Sequence, residues 1–417
     1  MKHREKQSLI GLECAFFRFV FEFLQSLSIL VSNYFLLKRF SKMFIETPMS
    51  TDSRALFDLI SESADHVEEY GLTVDLQRLN ESGALCACLP KKLGGSNWSL
   101  TKSENETKAA FDFLRRLGKA NLSLARLFEG HLHAVRLIEL FAESRLRKNI
   151  FSKVKEGVLL GVWGASLNQP LRFTTLPNGK IKLHGVKRLV TGLGMVEFAI
   201  VRLSNDDDDC DQLAVVDVTD AARQNIEYWD ASGMRPTLTG SFDFSDMEIR
   251  KSDLLGKPGD FHLEPHYIGG VWRHSVAHLG GAEAIIDTWR EMLIKKNRLD
   301  DPFQLTRLAK ARSETLAASA MLLKTACLVE EATRKPTKTN VDDAVLACLL
   351  AHDQMEDVCV RILNLCEKSL GMEAFIERCP IERMRRDLSM FIRHIAPDAR
   401  LLKAASFLME RHGEPLW

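Results

Sequence analysis

The chain has no Cys-x-x-Cys, no His-Glu-x-x-His, no Gly-x-Ser-x-Gly, no Walker loop, and no Gly-x-Gly-x-x-Gly after a strand pattern. These absences remove zinc ribbons and zincins, nucleophile-elbow hydrolases, P-loop chemistry and Rossmann dinucleotide binding from the candidate functions. Net charge is also missing, with 56 Lys+Arg balanced by 56 Asp+Glu, so no nucleic-acid partner is expected from bulk electrostatics. A 46% hydrophobic and 27% charged composition excludes disorder, collagen and a polytopic membrane protein. At 417 residues the chain can bury a sizeable core spread over two or three domains. Its nine cysteines, at 14, 86, 88, 210, 327, 348, 359, 366 and 379, are odd in number and scattered. They are expected to be reduced, buried small hydrophobes in a cytoplasmic protein.

The first 48 residues differ from the rest. The charge-free run Phe23–Leu37 would span about 22 Å as a helix, short of a bilayer core of about 30 Å. Lys38, Arg39 and Lys42 follow it instead of a small-residue cleavage site. This apolar leader reads as an extension upstream of a natural start at Met49, or as an interfacial helix giving peripheral membrane contact.

Three segments follow. Residues 49–156 are helical in period, with Leu56, Leu59, Ile60, Ala64 and Val67 recurring at three and four, and helices expected at Thr107–Leu117 and Leu122–Phe141. Between 157 and 262 short apolar or alternating runs predict about seven strands by residue 250, with a hairpin turn at Asn178-Gly179. The acidic run Asp206–Asp209 reads as a solvated loop, because further calcium ligands at set spacing are lacking. Residues 263–417 predict four long helices, over 270–296, 305–334, 340–371 and 380–411, as an antiparallel bundle. The expected class is α+β: a helical domain, a β-barrel or sandwich domain, then a four-helix bundle.

Two histidine pairs, His274/His278 and His262/His266, have helical spacing, but two ligands do not make a metal site and no metal is expected. Gly161–Ser166 and Gly185–Gly194 end strand runs in small and hydroxyl residues, which let a flat polar heterocycle approach the backbone. Taken with the segment order, these motifs resemble the acyl-CoA dehydrogenase family over about 50–417. The run Lys187-Arg188-Leu189-Val190-Thr191-Gly192 is similar to that family's G-x-K-x-W-I-T-N segment, with Leu189 for its Trp and Gly192 for its Asn. The resemblance implies FAD held by Val162, Trp163, Ser166, Thr191 and Gly192. It also implies that Arg298 and Gln304 reach the FAD of a neighbouring subunit in a homodimer or homotetramer.

Dehydrogenation of an acyl thioester, on CoA or a carrier protein, needs a carboxylate base at the α carbon while an electron acceptor reoxidises the flavin. In most family members that Glu follows an Arg-Asp pair by eight residues. Counting from Arg386-Asp387, the position is Ile395, and Glu264 is a poor substitute. His394 and Asp398 lie on the segment where the base belongs, and an imidazole suits general-base work near neutral pH. The resemblance therefore implies an FAD-dependent acyl-CoA dehydrogenase type of oxidoreductase with a displaced base. The alternatives are a flavin-dependent monooxygenase of the same fold, such as the dibenzothiophene monooxygenase branch, using reduced FMN or FAD as co-substrate from a reductase, or a catalytically silent binding protein.

Overall fold

The computed structural model describes residues 53–165, 170–204, 211–226, 229–394 and 397–410. The apolar leader, Ser166, the run Asp206–Asp209 and Ile395 lie outside the described residues.

The chain begins with helices α1 (Ser53–Ala64), α2 (Val67–Tyr70), α3 (Thr73–Glu81), α4 (Ala84–Ala87), α5 (Glu104–Ala120), α6 (Leu122–Phe141) and α7 (Ser144–Lys155). The hinge between α5 and α6 is the single residue Asn121, whose extended backbone ends one helix while its side chain accepts from Leu124 N–H at 3.1 Å. That cap restarts the helix immediately. Helix α6 is buried on nearly every face, and among its apolar neighbours it carries Glu129, His131 and Arg136. Polar groups so placed must find partners.

Among the described residues ten short strands follow: β1 (Leu160–Trp163), β2 (Arg172–Thr175), β3 (Ile181–His184), β4 (Val186–Val190), β5 (Phe198–Ser204), β6 (Asp211–Asp217), β7 (Gln224–Asn225), β8 (Gly240–Asp243), β9 (Glu248–Ile249) and β10 (Leu254–Leu255). One sheet runs β10-β6-β5-β2-β3-β9 with β1 added parallel to β5, and the other runs β4-β8-β7. Asn178-Gly179 is the β2–β3 turn as its sequence predicts, with Gly179 at φ +78° and its N–H bonded to Leu176 O at 2.9 Å. Trp163 of the larger sheet packs on Phe242 of the smaller one, ring centres 5.7 Å apart.

The C-terminal part holds α8 (Trp272–Lys295), α9 (Pro302–Arg334), α10 (Lys338–Leu370), α11 (Pro380–Phe391) and α12 (Pro397–Glu410). The stretch 380–411 was expected to be one helix, and the structure corrects this. One helix ends at Phe391 and the next begins at Pro397, a residue with no backbone N–H to continue a ladder.

Helices α5 and α8 cross with no room for a side chain. A β-carbon on Gly280 would sit 2.2 Å from Arg115 O and 2.6 Å from Lys119 N, and one on Gly118 would sit 2.6 Å from Ala277 O. Beside the crossing Arg115 grips Glu283 with two bonds of 2.9 and 2.8 Å. Gly280→Ala should therefore force the helices apart and lower the unfolding free energy by about 1–3 kcal/mol, read by urea denaturation. An unchanged midpoint would contradict this contact.

Candidate active site

Helix α8 places His274 and His278 one turn apart on one face. The end of α11 brings a third imidazole to them: after Phe391 the chain turns, with His394 N–H bonded to Phe391 O at 3.1 Å. The His394 ring stacks on His274, centroids 5.4 Å apart and planes 23° off parallel. Phe391 meets His278 edge-on at 4.5 Å and lies 6.2 Å from His274 and 6.1 Å from His394. Deeper in the bundle His278 is 6.0 Å from His352 of α10, whose Nδ1 lies 2.9 Å from Ser275 Oγ.

Accessibility grades across this cluster. His278 and His352 are fully buried, His274 keeps 13% of its side-chain surface, and His394 is exposed. His394 nevertheless sits among close-packed elements, so desolvation, reinforced by the charges of Arg126 and Arg400, pushes its imidazole down to about 3. Burial likewise holds His274 and His278 well below the ordinary value and His352 at about 4. The wall is neutral and aromatic. Among the described residues no group of three His, Cys, Asp or Glu side chains could hold a metal ion.

Behind His274 stands Glu129 of α6, 1% exposed. Its Oε2 accepts from Arg126 Nη1 at 3.1 Å and lies 3.3 Å from His274 Nε2. Burial raises this carboxyl, and Arg126 and Arg273 oppose the rise. A second buried pair, Arg136–Glu330 at 3.0 Å, ties α6 to α9, and Arg136 also donates to Ser99 O at 2.9 Å and Thr333 Oγ1 at 2.7 Å. Breaking such an enclosed pair on one side typically costs about 3–5 kcal/mol.

The β strands carry the second group of sequence candidates. Thr191, half-buried at the end of β4, accepts from Thr239 Oγ1 at 3.2 Å, and Thr239 bonds Thr237 at 2.9 Å. Gly192 is at φ +90°, and a β-carbon there would meet Val196 and Leu127 at 2.7 and 3.1 Å. Leu189 sits in a break of the β4–β8 register at φ +56° and is 43% exposed. A bulky residue held left-handed with its side chain outward is strain kept in place by its surroundings. Val162 is half-buried, whereas Trp163 is 3% exposed and donates Nε1–H to Thr191 O at 3.0 Å. Trp163 thus supports Thr191 from inside the β core.

The remaining sequence candidates lie elsewhere. Arg298 pairs with Asp301 on the surface at 3.3 Å. Gln304 is 2% exposed and its Oε1 accepts from Ser369 Oγ, which also accepts from Trp289 Nε1 at 2.6 Å. Asp398 is exposed in the first turn of α12 and makes no hydrogen bond or ion pair among the described residues. Glu264 is a cap, its carboxylate accepting from Ile268 N–H at 3.0 Å and Gly269 N–H at 3.3 Å. The Arg386-Asp387 pair is a clamp: Asp387 accepts from Met234 N–H at 2.6 Å, and Arg386 reaches Glu68 at 2.9 Å. Sequence reasoning missed Glu129 and Arg126. Their signal was an i,i+3 charge pair inside a largely apolar helix.

Residues 272–399 match the family described as "Acyl-CoA dehydrogenase, C-terminal domain". The chain is 25% identical over 204 residues to a dibenzothiophene monooxygenase of Rhodococcus erythropolis, a match spanning 46% of each, so under half of that relative's length. It is 22% identical over 292 residues to the dibenzothiophene monooxygenase of Mycolicibacterium goodii, covering 62% of this chain and 68% of that one. Among solved structures, FMN-bound TdsC from Paenibacillus sp. A11-2 superposes with a TM-score of 0.76 at 19% identity, covering 86% of this chain and 96% of that one. Butyryl-CoA dehydrogenase from Megasphaera elsdenii gives a TM-score of 0.73 at 18% identity, with 88% and 100% covered.

The buried imidazoles make stability depend on acid. His131 accepts from Leu160 N–H at 3.0 Å and faces Leu85 O at 3.3 Å, and burial pushes it, like His352, to about 4. An unfolded imidazole takes its proton near 6.5, so below that pH the unfolded state binds protons that the native state refuses. Their contribution is complete above about 6.5 and is lost as pH falls toward 4, by up to about 1.4 kcal/mol per pH unit for each. The thermal midpoint should hold level from pH 7 to 8.5 and fall steadily from 6.5 to 4.5. A level profile through the acid range would contradict this.

Proposed function

We propose that this chain, a divergent member of the acyl-CoA dehydrogenase family, is a flavin-dependent monooxygenase that takes a neutral, flat substrate against its histidine wall. One observation carries the choice over dehydrogenation: the accessible side chain of the wall is the imidazole of His394, and the carboxylate that α-proton removal calls for is not beside it. No carboxylate among the described residues contacts His394, and Glu129 stands behind His274.

The β wall fits a flavin. Leu189 offers an exposed apolar face and Thr191 a hydroxyl anchored by Thr239, while the missing β-carbon of Gly192 leaves room for Val196 and Leu127 beneath them. FMN or FAD would lie against these residues, with Val162 beside them. Reduced flavin, when bound, supplies the two electrons that turn substrate and dioxygen into oxygenated substrate and water. Residues of this chain bind, orient and exclude water: Phe391 and His274 fix the His394 ring, which stays neutral and offers one N–H and one lone pair to the reacting cleft. Such a reaction needs a separate flavin reductase as partner. Arg298 and the exposed Phe303, at 72%, lie at the head of α9, where a second copy of the chain would complete the flavin site.

The competing reading, FAD-dependent dehydrogenation of an acyl thioester, retains support from the shared fold. The test supplies purified protein with a flavin reductase, NADH, FMN and dibenzothiophene, and in parallel titrates FAD-loaded protein with acyl-CoA esters without oxygen. Oxygenated dibenzothiophene should form, and His394→Ala should lower its rate by about 100-fold or more. Bleaching of the FAD by a thioester, with no oxygenated product, would replace this reading by dehydrogenation.

A further inference from the structure

We propose that Glu129 is a positioning residue that fixes His274 as its Nε2–H tautomer and so sets the plane on which His394 stacks. This rests on reading the His274–His394 pair as the wall of the reacting cleft. Burying a carboxylate is costly unless it is paired, and Glu129 is 1% exposed on a helix whose neighbouring buried residues are mostly apolar. What it holds is visible in its contacts: Oε2 lies between Arg126 Nη1 at 3.1 Å and His274 Nε2 at 3.3 Å. Arg126, one turn earlier on the same helix, keeps that oxygen in place.

His274 has no competing instruction. Its Nδ1 is buried without a hydrogen-bond partner among the described residues. A carboxylate only accepts, so only the ring with hydrogen on Nε2 satisfies the contact, and the opposite tautomer would set a lone pair against the carboxylate oxygen. The groups facing the ring are Arg126 and His133 on α6, His278 on its own helix and His394 beyond α11. None of these supplies a second acceptor to the ring. An acidic partner behind an imidazole is a general way to fix ring orientation.

Long-range proton–nitrogen NMR on the full chain, with His274 assigned by its loss in His274→Gln, reads the tautomer directly. The wild type should show His274 protonated at Nε2. Glu129→Gln, which keeps an acceptor oxygen, should preserve it, and Glu129→Leu should release it to a mixture or to Nδ1–H. A wild-type ring protonated at Nδ1, or an unchanged ring in Glu129→Leu, overturns the proposal. The wild-type result stands even if the Leu variant does not fold. Oxygenation rates of the same proteins, with Glu129→Leu expected to lose about 10–100-fold and Glu129→Gln less, test the role in turnover. Because the tautomer is read without substrate, failure of this proposal and failure of the monooxygenase reading are separate results.

Discussion

A helix crossing that admits no β-carbon on either side governs the rest of the molecule. With Gly118 and Gly280 at the contact, α8 lies against α5 at a fixed depth and rotation. One face of α8 is thereby committed to the N-terminal helices, and the face carrying His274 and His278 is turned toward α6, α10 and α11. Arg115–Glu283 ties α5 to α8 beside the crossing, and Asp387, accepting from Met234 N–H, ties α11 to the loop between β7 and β8.

That geometry explains why the cluster is neutral. Imidazoles enclosed by apolar helices lose their protons to desolvation, and the carboxylates at hand, Glu129 and Glu330, are occupied by Arg126 and Arg136. Two arginines pair here, Arg126 with Glu129 and Arg136 with Glu330, while buried Arg273 lies 3.9 Å from Glu330 and its guanidinium nitrogens have no hydrogen-bond partner among the described residues. In the proposed reaction this cluster takes an uncharged substrate, and Leu189 and Thr191 take the flavin.

Much of the architecture was legible from residue periods. The limits of α6, the Asn178-Gly179 hairpin and the α8, α9 and α10 boundaries follow from local signals that the packing did not override. The break at Phe391–Pro397 was misread because the apolar period runs through it, and Pro397 alone did not show where the chain turns. Of the candidate site, Thr191 and His394 are proposed from a motif and its spacing, whereas Glu129 and His274 meet across 145 residues of chain, which no local pattern encodes. Trp163 and Gln304 show the converse: each sits in a suggestive motif, and each is buried with an internal partner.

The account stands on one arrangement, a flavin between the Leu189–Thr191 wall and His394. A crystal structure of the full chain with FMN measures it directly. The account predicts the isoalloxazine against Leu189, Thr191 Oγ1 within about 3 Å of a flavin polar atom, and the His394 ring facing the flavin across an open cleft, still stacked on His274. A flavin bound away from Leu189, or His394 turned out of that cleft with an acidic side chain in its place, would contradict it.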